Sequence, residues 1–261
     1  MESLKIAATG MGAQKLRVDT IANNLANMST TAYNARRAEF ADLHYRQDVM
    51  AGTVSASDGT VLPTGVQVGL GVRPAAISVQ LSQGASSRTG GDLDVAIEGR
   101  GYLEVELPNG QAAYTRAGAL KRSPDGQIVT ADGFPLVPDI TIPDDARSIS
   151  IAADGSVNAF FDDQTAPEEL GRFALAAFSN EKGLEAMGDN LFLETEASGP
   201  PLVGDPGTDG LGLLRQGYLE DSSVDAVKEL TDLIAAQRAY ELNAKVITAA
   251  DQMLSTTTQI R

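Results

Sequence analysis

The chain contains no cysteine, no tryptophan and a single histidine among its 261 residues. The first absence excludes disulfide staples and thiolate metal sites. The last leaves His44 without a second imidazole, so a His-pair metal site is excluded too. Aromatic residues make up only 5% of the chain while glycine (26) is plentiful. A core here must be built from aliphatic and small side chains, which let backbones approach closely. No apolar run reaches the roughly 18 residues that a membrane-crossing helix needs. The opening MESLKIAATGMGAQKLR lacks the continuous apolar stretch of a cleavable secretion signal. That predicts either cytoplasmic residence or export by a route that reads no such signal.

Positive charge is also scarce: 20 Lys and Arg stand against 35 Asp and Glu, for a net charge of −15. Phosphate backbones are bound by clustered cations, so nucleic acid is excluded as a partner. The acid is concentrated in residues 123–213, which carry −14, whereas residues 1–43 sum to +1. The middle-to-late chain therefore reads as a solvated face, and the near-neutral N-terminal third is able to pack against copies of itself.

Residues 3–28 carry a seven-residue apolar repeat in two sets, Leu4, Met11, Val18, Leu25 and Ala7, Gln14, Ile21, Met28. Their alternating spacing predicts a helix with a coiled-coil-like seam, weakened locally by Gly10 and Gly12. A second helix is predicted from a capping box at Ser222-Ser223-Val224-Asp225 to about Thr258. Leu233, Tyr240, Ile247 and Leu254 recur along it every seven residues, flanked by Ala236 and Ala250. Ala235, Ala239, Leu242, Val246, Ala249 and Met253 form a neighbouring stripe. Apolar residues on two faces mean that one partner helix is not enough.

Between these helices, Asp-Gly or Asn-Gly pairs at 58–59, 109–110, 125–126, 132–133, 154–155 and 209–210 punctuate short β-prone runs. That is hairpin chemistry, and it predicts an antiparallel β region. The Gly/Ser/Thr/Val-rich residues 45–72 read as an extended arm or long hairpin. The fold class expected is therefore α+β. Residues 1–44 and 217–261 form a discontinuous helical domain, and residues 73–216 a β-rich outer domain.

Catalytic chemistry is not supported. His44 follows an apparent helix end, and the acidic pairs Asp144-Asp145, Asp162-Asp163 and Glu168-Glu169 read as solvated turns. GLG (69–71) and GRG (99–101) continue into no phosphate loop or dinucleotide fingerprint. Asp92-Leu93-Asp94 lacks the remaining ligands of a calcium loop, which leaves the Asp/Gly-rich DPGTDGLG (205–212) as the best ion-site candidate, and a weak one. No enzymatic activity, metal or cofactor is expected.

Asn23, Asn24 and Asn27 fall outside the heptad seam, although asparagine is a poor helix former. Together with the small Ala22 and Ala26, they predict a second helix interface cross-linked by amide hydrogen bonds. Here the residues carry a resemblance. IANNLANMST with Tyr33 resembles the N-terminal signature of the bacterial flagellar axial proteins, the rod and hook family. The stretch 93–136, with Tyr114-Thr115-Arg116 and Gly118, is similar to that family's shared β region, and 217–254 resembles its closing helix. LPTGVQVGLGVRP, at the end of the arm, is similar to the distal-rod branch. The family often has Asn-Gly-(Phe/Tyr) where Thr31-Ala32-Tyr33 stands, and loss of that glycine argues against a tight left-handed turn.

The resemblance implies a structural subunit of the flagellar basal-body rod that polymerises into a hollow, rigid drive shaft across the periplasm. It implies export without a cleavable signal through the flagellar apparatus. The implied partners are copies of itself, proximal rod subunits, hook protein and the surrounding L and P rings. The subunit interface would comprise Leu4, Met11, Val18, Ile21, Asn23, Asn24, Leu25, Asn27, Met28, Leu233, Tyr240, Asn243, Ile247 and Leu254. A different axial subunit, or a secreted β-rich binding module, are the competing readings.

Overall fold

The computed structural model describes residues 2–52, 64–162 and 166–259. Two long helices, α1 (Glu2–Ala26) and α2 (Ala226–Gln259), flank an antiparallel β-rich middle, which is an α+β architecture. The chain divides into two units, one of Met1–Ala26, Arg36–Ser78 and Asp225–Arg261, the other of Asn27–Ala35 and Val79–Val224. Set beside the borders read from the sequence, 27–35 and 217–224 group here with the strands and 73–78 with the helices.

In the helical unit α1 and α2 run antiparallel, since Gly10 meets Asn243, Arg17 meets Asp232 and Asn24 meets Glu229. The seam is lined by small side chains: Ala7 and Ala13 on one helix and Ala236 and Ala250 on the other are buried, together with Ile21. The cap of α2 is not the predicted Ser222. The helix begins at Ala226, and the Asp225 carboxylate accepts from the backbone N–H groups of Val227 (3.0 Å) and Lys228 (3.2 Å). A carboxylate there also suits the positive end of the helix dipole. The residues before His44 are likewise not helical. Arg36–Asp42 is a strand that pairs with Val72–Val79. Beyond it, Tyr45–Val49 pairs antiparallel with Val66–Gly69, which makes a hairpin of the arm. Residues 53–63, with the predicted turn at Asp58-Gly59, lie outside the described residues.

The β unit is organised around a seven-stranded antiparallel sheet. Its order is Glu185–Gly188, Leu191–Leu193, Ala112–Thr115, Tyr102–Glu106, Leu175–Ala177, Leu202–Gly204, with Leu136–Val137 also pairing to Tyr102–Glu106. A three-stranded sheet (Ala146–Ile151, Ser156–Phe161, Glu168–Arg172) and several two-stranded ladders complete it. Aliphatic residues such as Ile97, Leu103, Val105, Ile128, Val157 and Leu175 form the main core. Four aromatics form a second cluster, where Tyr114 meets Phe178 edge-on at 4.8 Å and Tyr102 contacts both Phe178 and Phe192.

The predicted turns have a common form. At 107–111, 123–127, 130–134 and 152–156, the glycine N–H donates to the carbonyl three residues back, and that residue's own N–H is paired across the loop. Only the glycine takes a left-handed φ in these four turns, so they are type I turns closed by a glycine bulge. Asp209-Gly210 alone among the described pairs places both residues at positive φ (49° and 80°).

Candidate assembly interface

The predicted interface residues separate into three groups. Leu4, Met11, Val18, Leu25, Leu233, Asn243 and Ile247 are half-buried and Ile21 is buried. Contacts within a single chain therefore already cover much of the heptad row. Within that row the Gln14 Oε1 atom is buried without a hydrogen-bond donor. An unsatisfied buried acceptor costs about 1–3 kcal/mol, which weakens the seam of the lone chain. Tyr240, Leu254 and Met28 are exposed, and Met28 lies beyond the end of α1.

The asparagines do not act as a set. Asn24 is only 1% exposed. Its Nδ2 donates to the Arg36 carbonyl (2.8 Å) and to Glu229 (3.2 Å), while its Oδ1 accepts from the Arg36 N–H (2.9 Å). In the single chain its amide is used internally, fastening the first residue of the Arg36–Asp42 strand to α1. Asn27 helps to finish the helix, its carbonyl accepting from the Thr30 N–H and its side chain from the Thr30 hydroxyl, both at 3.1 Å. Asn23 is exposed on the helix surface.

Along α2 runs a stripe of exposed apolar residues. Val227, Leu230, Ile234, Leu242, Val246 and Met253 are all exposed, with Val227 at 75% and Met253 at 65%. Their recurrence at three, four, seven and eight residues places them along one side of the helix. Leu242, Val246 and Met253 are the second stripe read from the sequence. The hairpin arm is similarly bare: Tyr45, Val49, Met50 and Val66 are exposed large apolar residues.

The sequence reading passed over one site. Arg116 and Glu220 form a buried ion pair, with side-chain exposures of 8% and 3%. Arg116 Nε and Nη2 donate to Glu220 Oε2 at 3.1 and 2.8 Å. The remaining donors reach the carbonyls of Ile97, Gly99 and Gly101 at 3.4, 3.1 and 3.0 Å, so all five N–H bonds are used. Gly99 and Gly101 take φ of +113° and +139°, which curls alternate carbonyls around the guanidinium. GRG thus serves an internal cation, a role visible only once Arg116 is placed beside it. Glu220 Oε1 accepts from the Gly84 N–H (3.1 Å), and the Tyr102 ring lies 5.8 Å from the guanidinium carbon. Burial, and then the nearby Glu181 carboxylate, push the Tyr102 hydroxyl well above its ordinary range.

The Glu220 carbonyl accepts from the Ala32 N–H (2.8 Å). Ala32 is buried and has φ +55°, so the left-handed turn persists without the glycine. A non-glycine residue there costs about 1–2 kcal/mol, offset by this hydrogen bond and by burial of the methyl group.

A shallow cleft of about 210 Å³ lies beside this ion pair, bordered by Asn34, Leu81, Gln83, Arg100 and Glu181. Its floor is the fully paired Arg116, and Gln83 is already used at both ends by Ile97 and Gly99. Elsewhere the acidic residues pair on the surface: Asp144 with Arg122, Asp162 with Arg147, Asp205 with Arg172. Asp163 lies outside the described residues. Among the described residues no group of three or more His, Cys, Asp or Glu stands close enough to hold a metal ion.

Three family models match the chain in order: "Flagella basal body rod protein" over residues 4–33, "Flagellar hook protein FlgE/F/G D1 domain" over 96–159 and "Flagellar basal body rod FlgEFG protein C-terminal" over 215–260. The chain is 51% identical over 261 residues to the flagellar basal-body rod protein FlgG of Caulobacter vibrioides, covering 100% of both chains. It is 48% identical to the FlgG of Agrobacterium fabrum, covering 98% of this chain and 97% of that one. With the FlgG of Bacillus subtilis the identity is 36%, covering 97% of each.

Proposed function

Because this chain belongs to the flagellar basal-body rod protein family, we propose that it is a structural subunit of the distal rod, the shaft that carries motor torque to the hook. The observation that carries the assembly reading is the exposed apolar stripe of α2, from Val227 to Val246. A helix that already has one partner and still exposes such a row gains stability only by docking against more helices, and in a homopolymer those belong to other copies. The axial domain would comprise residues 1–44 and 217–261, residues 45–72 would bridge neighbours, and residues 73–216 would face outward. Stiffness would come from many such contacts that bending has to break together.

Leu4, Met11, Val18, Ile21, Leu25, Leu233, Asn243 and Ile247 then hold the helix pair that is presented, while Asn23, Met28, Tyr240 and Leu254 face neighbouring copies. The subunit would reach the periplasm through the flagellar export apparatus. It would contact proximal rod subunits at one end, hook protein at the other, and the L and P rings around it. The acidic stretch 123–213 suits an outer face that turns inside those rings without adhering to them.

Electron microscopy of the concentrated full chain tests this reading. Tubular polymers are expected from the wild type and none from Leu242→Glu/Val246→Glu. Both sites are exposed, so the monomer's stability should change by less than about 0.5 kcal/mol. Normal polymers and motility in the double variant would refute the assignment of this stripe.

A further inference from the structure

Strand partners in the β unit differ greatly in their separation along the chain. Tyr102–Glu106 and Ala112–Thr115 pair across the turn at Gly110. By contrast, Val95–Glu98 pairs with Leu213–Gln216, and Ser86–Arg88 with Tyr218–Glu220. Residues 213–223 are used by many other parts of this unit. The Gln216 side chain donates to the carbonyls of Asp92 (2.7 Å) and Ile149 (2.9 Å) and accepts from the Ile151 N–H (3.0 Å). Glu220 neutralises Arg116 and holds Gly84 and Ala32. The Ser223 N–H donates to the Tyr33 carbonyl, and its hydroxyl accepts from the Ala35 N–H, both at 2.9 Å. Without this segment the guanidinium would sit buried among three carbonyls with no counter-ion, and two ladders would lose a strand each.

We infer that residues 213–223 are a late-closing strap, with Glu220 as its fastening point, so that the β unit is completed only by the stretch of chain that leads directly into α2. Pairings that close more than a hundred residues of loop form after local hairpins, because the chain entropy must be given up first. The buried cation adds a chemical condition to that topological one: no neutral segment substitutes for Glu220. A chain that has lost its C-terminal end therefore has no finished β unit. If the rod reading holds, such a chain is kept out of a growing polymer. The closure itself does not depend on that reading.

The test is pulse-labelled amide hydrogen exchange during refolding of the full chain, at a dilution where it stays monomeric. Protection of Tyr102–Thr115 is expected first. Ser86–Arg88, Ala96–Glu98 and Leu213–Glu220 should then become protected together, at a rate roughly tenfold or more lower. Glu220→Gln should slow that shared phase further and leave the hairpin phase unchanged. Arg116→Met/Glu220→Leu, which removes the need for a counter-ion, should return it toward the wild-type rate. If Glu220→Gln does not fold, the wild-type phases alone decide. Protection of Ala96–Glu98 together with the hairpin, or ahead of Leu213–Gln216, would overturn the strap. Late closure in a chain that never polymerises would keep the strap and defeat the rod reading.

Discussion

Arg116 and Glu220 lie 104 residues apart in the chain, yet Nη2 and Oε2 meet at 2.8 Å inside the β unit. Breaking a buried pair from one side leaves an uncompensated charge, whereas replacing both partners with apolar residues of similar size is often close to neutral. Glu220→Ala is therefore expected to cost the β unit about 3–5 kcal/mol, and Arg116→Met/Glu220→Leu to recover most of that loss. Urea unfolding followed by near-ultraviolet circular dichroism separates the two. Equal losses in the single and double variants would mean that the pair's charge is not what matters.

Asn24 and Asn23 are neighbours with opposite environments. Asn24→Ala removes both hydrogen bonds to the Arg36 backbone and leaves that N–H and carbonyl to find other partners, at a cost of about 1–3 kcal/mol. Asn23→Ala, at an exposed position on the same helix, is the comparison and should cost less than Asn24→Ala. Thermal melts of the monomer compare the two directly. The same variants in a polymerisation assay show whether Asn23 makes contacts between subunits.

The two glycines of α1 should respond differently to substitution. A Cβ at Gly12 meets nothing within 4 Å, so Gly12→Ala gains helix propensity and stabilises the monomer by about 0.5–1 kcal/mol. A Cβ at Gly10 would stand 3.0 Å from Asn243 Nδ2, and the branched side chain of Gly10→Val has no room there. That variant should lower the melting temperature of the helical unit and separate α1 from α2. Hydrogen exchange along α2 around Asn243 reports the separation.

Glu104 provides a pH prediction. Burial, and then the neighbouring Glu194, raise its carboxyl above the ordinary range in the folded protein. The folded state thus holds this proton more tightly than the unfolded chain. The ionised form is penalised at neutral pH, and the penalty disappears as pH falls through the raised folded value toward the unfolded one. Glu104→Gln should melt higher than wild type at pH 7, and the difference should shrink on acidification. A difference that stays constant down to the ordinary carboxylate range would show that titration of Glu104 contributes nothing. Its cross-strand partner Tyr114, pushed up to about 12 chiefly by burial and then by Glu104, stays protonated throughout.

The chain's local grammar was legible at once. Heptad spacing marked α1 and α2, because apolar residues at three- and four-residue steps can share a face only on a helix. Asn-Gly and Asp-Gly pairs marked the turns at Gly110, Gly126, Gly133 and Gly155, because the bulge position there favours a residue without a Cβ. The exposed stripe at Leu242 and Val246 was also visible, as apolar residues on a second face of α2.

Other features depended on groups distant in sequence. Arg36–Asp42 forms a strand because Asn24 holds the Arg36 backbone and Val72–Val79 pairs with it. Ser222 loses the cap to Asp225, whose carboxylate reaches Val227 and Lys228, while Ser223 is engaged by Tyr33 and Ala35. Ala32 keeps a left-handed turn because Glu220 holds its N–H. The sequence by itself determined the two long helices and the glycine turns, since those depend on neighbours a few residues away. Tertiary structure alone decided that Asn24 turns inward and that GRG encircles Arg116, because a buried polar group takes whatever partner the fold brings within 3 Å.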